Sequence, residues 1–287
     1  MVGFSMQWEG PGVKISLRTM GIVGLDYCGS TVVSNVLSSM PGVLNVGESH
    51  WIRDRELGCR ECHRKPCPIF TRNMLEELRT SKLSKNSWWE IFSRHSGAEL
   101  IVSTDKLPKH YDRFGVPDNL LLLHKDPKAN IVSWCNRKFS DDLDEIDHVF
   151  SSKQIETGMG WWIEISSNIM DWIEKQDCDV SSMSLEQFSA DPRGMTKSLC
   201  GWLGIEYDPS SIDFWNRELH YIGGNHSVKR MEPEKHFYRR ITTDERWRKI
   251  LKNEDAEMIE NHPEINSILK AIEDVSAKGR SSFFRLP

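Results

Sequence analysis

The chain has 287 residues, 38% of them apolar and 28% charged, with a formal net charge of −5 and a sequence pI near 6.1. A chain of this length buries about three quarters of its unfolded surface, and with no polar or acidic tract of disordered type the composition is that of a globular protein with a real core. The acidic balance excludes a general nucleic-acid binder, which needs clustered Lys and Arg to displace counterions from a phosphate backbone.

Nowhere do eighteen apolar residues run together, and MVGFSMQWEGPGVKIS lacks a basic segment followed by an apolar one. Neither a signal peptide nor a membrane span is therefore expected, and the expected compartment is a reducing, cytoplasmic one. The seven cysteines, Cys28, Cys59, Cys62, Cys67, Cys135, Cys178 and Cys200, are odd in number and widely spread. That pattern fits free thiols or a metal site better than a disulfide frame.

In chain order, SLRTMGIVG (16–24) reads as a buried strand and STVVSNVLSSM (30–40) as the helix after it, stopped by Pro41-Gly42. ELIVST (99–104) and NLLLLHK (119–125) are further buried strands. The second runs into DPKANIVSWCNRK, where Asp126 and then Pro127 signal a helix start. A Trp-rich stretch over about 158–176 has helical spacing, VSSMSL (180–185) reads as a strand, and DPRGMTKSLCGWLG (191–204) as a helix closed by Gly204. This rhythm predicts an α/β fold, a parallel sheet flanked by helices on both faces. With no repeat or linker in view, a single domain over 1–287 is expected. Of the eleven tryptophans, Trp88, Trp89, Trp161, Trp162, Trp172 and Trp202 sit among apolar neighbours and are expected in the core.

The stretch GLDYCGST (24–31) carries chemistry. Gly24 and Gly29 are separated by four residues and precede Ser30-Thr31, the phosphate-loop pattern with Ser30 where a lysine usually stands. Between a strand and a helix, such a turn aims main-chain N–H groups at an anion, and the hydroxyls of Ser30 and Thr31 add donors. The missing lysine would span the β- and γ-phosphates of a nucleotide, and Asp26 adds negative charge. A single phosphate therefore suits this loop better than a triphosphate, the alternative being a glycine-rich turn with no ligand.

GLDYCGSTVVSNVLSSMPGVLNVGE resembles the 5′-phosphosulfate loop region of bacterial-type sulfotransferases, enzymes that use 3′-phosphoadenosine-5′-phosphosulfate (PAPS); the matching residues are Tyr27-Cys28-Gly29-Ser30-Thr31, Pro41 and Gly47-Glu48. LLLLHKDPKANIVSWCNRK is similar to the segment with which that family binds the 3′-phosphate, placing Lys125, Ser133 and Arg137 there. HYIGGNHSVKR (220–230) resembles the segment that closes over the cofactor, with Asn225, Lys229 and Arg230, and Ile241, Asp244 and Trp247 follow at the family's spacing. STDKLPKHYDRF supplies Lys106, and LEQFSADP with a Gly-Trp-Leu-Gly helix end matches a further signature, although Leu185 stands where a tyrosine is frequent. These elements cover about residues 16–250.

The resemblance implies a P-loop NTPase-like sulfotransferase fold, with PAPS as co-substrate bound by Asp26, Tyr27, Cys28, Gly29, Ser30, Thr31, Lys125, Ser133, Arg137, Asn225, Lys229 and Arg230. The implied reaction is in-line sulfuryl transfer to a hydroxyl or amine of a small-molecule, lipid or sugar acceptor, with no metal required. Glu48 takes the position of the base, and His50, on the same face of an extended segment, is the alternative or an acceptor-side donor. Tyr27 departs from the family, replacing the basic residue aimed at the leaving group; Lys106 is expected to supply that charge, ahead of Lys14 or Arg230. A P-loop kinase or nucleotide hydrolase, and a non-catalytic nucleotide-binding protein of this fold, are the alternatives.

CRECHRKPC sets Cys59, Cys62, His63 and Cys67 within nine residues. These are zinc-type ligands. Adjacent Cys62 and His63 cannot easily share one ion, however, and a zinc site usually offers a second distant pair. Reduced thiols in an acceptor-side loop are the expectation, with Cys59, Cys62 and Cys67 as weak zinc candidates.

Overall fold

The computed structural model describes residues 17–59, 61–62, 64–82, 87–140, 149–224 and 241–278. Five strands, β1 (Arg18–Val23), β2 (Val43–Gly47), β3 (Leu100–Lys106), β4 (Asn119–His124) and β5 (Asp179–Ser184), form one sheet in the order β2-β3-β1-β4-β5. All neighbouring pairs run parallel, so each connection crosses over through helix. The crossovers are α1 (Ser30–Ser38) after β1, α2 (Trp51–Asp54), α3 (Arg72–Thr80) and α4 (Ser87–Ser96) after β2, and α5 (Pro108–Phe114) after β3. Helices α6 (Pro127–Phe139) and α7 (Ser152–Ile173) lie between β4 and β5, and α8 (Leu185–Ala190), α9 (Pro192–Leu203) and a 3-10 segment (Pro209–Asn216) follow. Helices Trp247–Ile250, Asn253–Glu260 and Pro263–Lys278 end the described chain.

Strand alternation divides the core in two. Leu121 and Leu123 face one side with Met20, Ile22 and Val102, packed by α1 and α9 through Val33, Val36, Leu37, Leu199 and Leu203. Leu120 and Leu122 face the other with Val23 and Ile101, covered by α4, α6 and α7 through Trp88, Phe92, Ile131, Met159 and Trp162. Both faces are covered, which is why the strands read as continuous apolar runs. Each such side chain contributes about 1.5–3 kcal/mol of burial.

The elements read from the sequence are observed, with two differences among them, whereas α2 to α5, α8, the 3-10 segment and the last three helices were not read from it. Helix α7 begins at Ser152, earlier than the Trp-rich pattern indicates, because Ser151 and Gln154 form a reciprocal capping box. Trp161 is only partly buried, stacked 5.2 Å from Trp134, whereas Trp88, Trp89, Trp162, Trp172 and Trp202 are core residues. Among the described residues, no helix is long and apolar enough to cross a membrane.

Candidate functional site

The strand order makes β1 a switch point, with β3 on one side and β4 on the other, so the connections leave it in opposite directions and open a crevice at the carboxyl ends of the strands. The sequence-predicted residues collect there: the 24–29 loop after β1, Glu48 after β2, Lys106 at the end of β3, and Lys125 after β4.

Gly29 caps α1 in the left-handed conformation, φ 93°, and accepts from the N–H groups of Val32 and Val33 through its carbonyl. A side chain there would also meet Leu185 Cδ1 at 2.5 Å, so the turn demands glycine twice over. Tyr27 is left-handed too, φ 67°, a conformation that costs a non-glycine residue about 1–3 kcal/mol and gathers at ligand sites. The loop is tied down by Asn130, whose side chain is 2% exposed and donates to the Asp26 carbonyl at 2.8 Å. Ser30 and Thr31 are buried at the helix start. Cys28 turns its side chain into the core, where burial raises its thiol, so only its main chain faces the crevice.

Lys106 stands over this loop in a left-handed backbone, φ 62°. Its Nζ lies 2.6 Å from Asp26 Oδ1 and 2.9 Å from Glu48 Oε1. Burial would lower its ammonium, but the two carboxylates outweigh that and hold it above the ordinary lysine value. Burial would likewise raise the Glu48 carboxyl; the charge of Lys106, with donation from Lys106 and from Trp51 Nε1 (2.8 Å), holds it below the usual range. Glu48 is placed by Gly47, φ 66°, where a Cβ would come within 2.0 Å of the Ile222 carbonyl. That carbonyl accepts from the Glu48 N–H at 2.7 Å.

At the end of β4, Lys125 Nζ donates to Ser133 Oγ at 3.0 Å and pairs with Asp244 Oδ2 at 3.1 Å. Lys125 and Ser133 are thus brought together as the sequence spacing predicts, with Asp244 occupying the ammonium. Burial pushes Lys125 down despite Asp244, while Arg246 and Lys125 together overcome burial and hold the Asp244 carboxyl well below its usual range. Arg137 is exposed near Tyr27 and its charge favours the ionised phenol, but the Tyr27 pKa is pushed up to about 12, first by burial and then by Asp26.

Three expectations change. Residues 48–52 are not extended: Trp51 N–H donates to the Glu48 carbonyl and Ile52 N–H to that of Ser49, so His50 does not share the face of Glu48. Instead His50 is 6% exposed, its Nδ1 2.7 Å from Asp105 Oδ1 and its ring stacked on His110 at 3.8 Å. Second, Cys59, Cys62 and Cys67 do have a distant companion, because His220 lies beside them and offers the ring nitrogen that the sequence spacing lacked. Third, Asn225, Lys229, Arg230, Lys14 and His63 fall outside the described residues.

Asp105 was not singled out from the sequence. It accepts from Ser49 Oγ, Ser103 Oγ and the His50 N–H, besides the ring contact, and these overcome burial to hold its carboxyl low. Its only sequence signal is a carboxylate at the end of an apolar strand; Asn130 and His220 had none, since both act through tertiary contact.

No family model matches the chain, and no curated protein matches it in sequence. Among solved structures, a sulfotransferase domain of a Synechococcus olefin synthase aligns over 98% of this chain and 100% of its own, with a TM-score of 0.54 and 15% identity. A mouse sulfotransferase complexed with PAP aligns over 91% and 90%, with a TM-score of 0.46 and 11% identity. A Mycobacterium tuberculosis sulfotransferase aligns over 71% and 72%, with a TM-score of 0.42 and 11% identity. The chain has the P-loop-like α/β fold of sulfotransferases: a five-stranded parallel sheet flanked by helices.

Proposed function

We propose that this protein is a PAPS-dependent sulfotransferase acting on a hydroxyl or amine of a small-molecule, lipid or sugar acceptor. The observation that carries the reading is Lys106, whose ammonium bridges Asp26 of the glycine loop and Glu48 at 2.6 and 2.9 Å. A cation and a carboxylate thus stand together where a loop-held phosphate would leave.

In this reading the main-chain N–H groups at the start of α1 hold the 5′-phosphate, while Lys125, Ser133 and Arg137 hold the ribose-borne one. The acceptor oxygen attacks sulfur in line and its proton passes to Glu48. The sulfur–oxygen bond to the 5′-phosphate breaks, and Lys106 neutralises charge growing on the bridging oxygen. The ion pair links the two roles. As Lys106 shifts from Glu48 towards the phosphate, the carboxylate loses the charge that depresses its basicity and becomes a better base. Asp244 must likewise yield Lys125 to the 3′-phosphate.

A Mg²⁺-dependent nucleotide hydrolase is less well supported. Such enzymes hold the ion with a loop hydroxyl and a strand carboxylate, but Asp105 at the end of β3 already accepts from two hydroxyls, a main-chain N–H and a histidine ring. Calorimetric titration with adenosine 3′,5′-bisphosphate, then transfer of labelled sulfate from PAPS to an acceptor panel, tests the proposal. Mg²⁺-dependent turnover of a nucleoside triphosphate, or no affinity for the bisphosphate, would refute it.

A further inference from the structure

Cys59, Cys62 and Cys67 lie between α2 and α3, and His220 lies 153 residues beyond Cys67 in the segment leaving the 3-10 helix. One ligand atom from each falls within 4.8 Å of all the others. The individual contacts are more telling. Tetrahedral Zn²⁺ with Zn–S of about 2.3 Å and Zn–N of about 2.0–2.1 Å spaces its ligands about 3.8 Å sulfur to sulfur and about 3.5 Å sulfur to nitrogen. Here Cys59 Sγ is 3.8 Å from Cys62 Sγ, and Cys67 Sγ is 3.4 Å from His220 Nδ1. The Phe70 N–H donates to Cys67 Sγ at 3.3 Å. Such a bond orients a metal-bound thiolate and offsets its charge.

A Cys59–Cys62 disulfide would account for two of the sulfurs only and leave the contact between Cys67 and His220 without a purpose. We propose that Cys59, Cys62, Cys67 and His220 bind one Zn²⁺ as a closed, four-ligand structural site. Softness and charge favour zinc for three thiolates and an imidazole, and with no open position the ion takes no part in catalysis. Its role follows from what it joins. One side is the loop that follows Glu48 and α2; the other is the strap that reaches Ile222, which pairs with Gly47 and accepts from the Glu48 N–H. Arg64 and Glu218 join the same two segments, 2.9 Å apart. The ion thus fastens the loop to the strap that positions Glu48, whatever reaction that carboxylate serves.

The test uses the full chain, purified without chelators. Elemental analysis is expected to find about one zinc per chain, with three thiols shielded from a thiol reagent until a chelator is added. Cobalt added to chelator-treated protein is expected to give strong visible ligand-field bands and a near-ultraviolet thiolate charge-transfer band. Because even residues that only orient a metal ligand are worth about 10–100-fold in affinity, Cys67→Ser and His220→Ala are each expected to weaken cobalt binding at least tenfold. Substoichiometric zinc with no thiolate–cobalt band in the unsubstituted protein would overturn the site, a result that does not depend on how any variant folds. A His220→Ala protein with unchanged cobalt spectrum and affinity would overturn the three-sulfur, one-nitrogen assignment.

Discussion

Replacing Lys106 by Met tests the centre of the proposal most directly. The side chains of Lys106 and Glu48 are 13% and 17% exposed and 2.9 Å apart, whereas Asp26 is 56% exposed. Unit charges about 4 Å apart interact by about 4 kcal/mol at an effective dielectric of 20, and removing one member of a buried pair costs about 3–5 kcal/mol. The exposed contact with Asp26 adds at most about 1 kcal/mol. Lys106→Met is therefore expected to lose about 3 kcal/mol of stability near neutral pH, mainly by stranding the Glu48 carboxylate. The folded-state carboxyl of Glu48 is depressed, so the stability it contributes is present above its unfolded pKa and is lost as pH falls. The gap between wild type and Lys106→Met must accordingly narrow towards pH 4. It must also narrow in the Glu48→Gln/Lys106→Met double variant, which leaves no charge stranded. Urea unfolding of the four proteins at about pH 8 and about pH 5 measures all of this. Transfer activity should fall about a hundredfold or more in Lys106→Met and stay low in the double variant. Equal stability of Lys106→Met and wild type at pH 8, or a gap that widens in acid, would refute the reasoning.

Since Glu48 is held below the usual carboxylate range, the acid limb of the kcat/KM profile should lie below about pH 4.3; a limb near about pH 6.5, the ordinary imidazole value, would point to a histidine as base. Lys125→Met should weaken adenosine 3′,5′-bisphosphate binding at least about tenfold by the loss of a charge-assisted hydrogen bond, whereas Asp244→Asn, which releases the ammonium of Lys125, should not weaken it; calorimetry separates the two. Gly47→Ala should cost about 2 kcal/mol or more in chemical unfolding, because a Cβ at φ 66° meets the Ile222 carbonyl at 2.0 Å. Turnover should fall with it as Glu48 is displaced.

Much of this molecule was legible in one dimension. Parallel strands buried on both faces are written as unbroken apolar runs, and helix starts such as Asp126-Pro127 and stops such as Gly204 depend on neighbours a turn away. The glycine loop and the lysines at strand ends were equally visible, since a parallel sheet delivers its strand termini to one edge. Folding alone decided which of these charges meet. Lys106 reaches Asp26 across 80 residues and Lys125 reaches Asp244 across 119, pairings that no local spacing encodes. The same holds for His50, turned from the face of Glu48 to Asp105 by a single helical turn, and for His220, carried to three cysteines by the strap that pairs with Gly47. Periodicity specifies elements because it acts within a few residues, whereas a binding centre joins groups from several elements. Only their packing sets those distances.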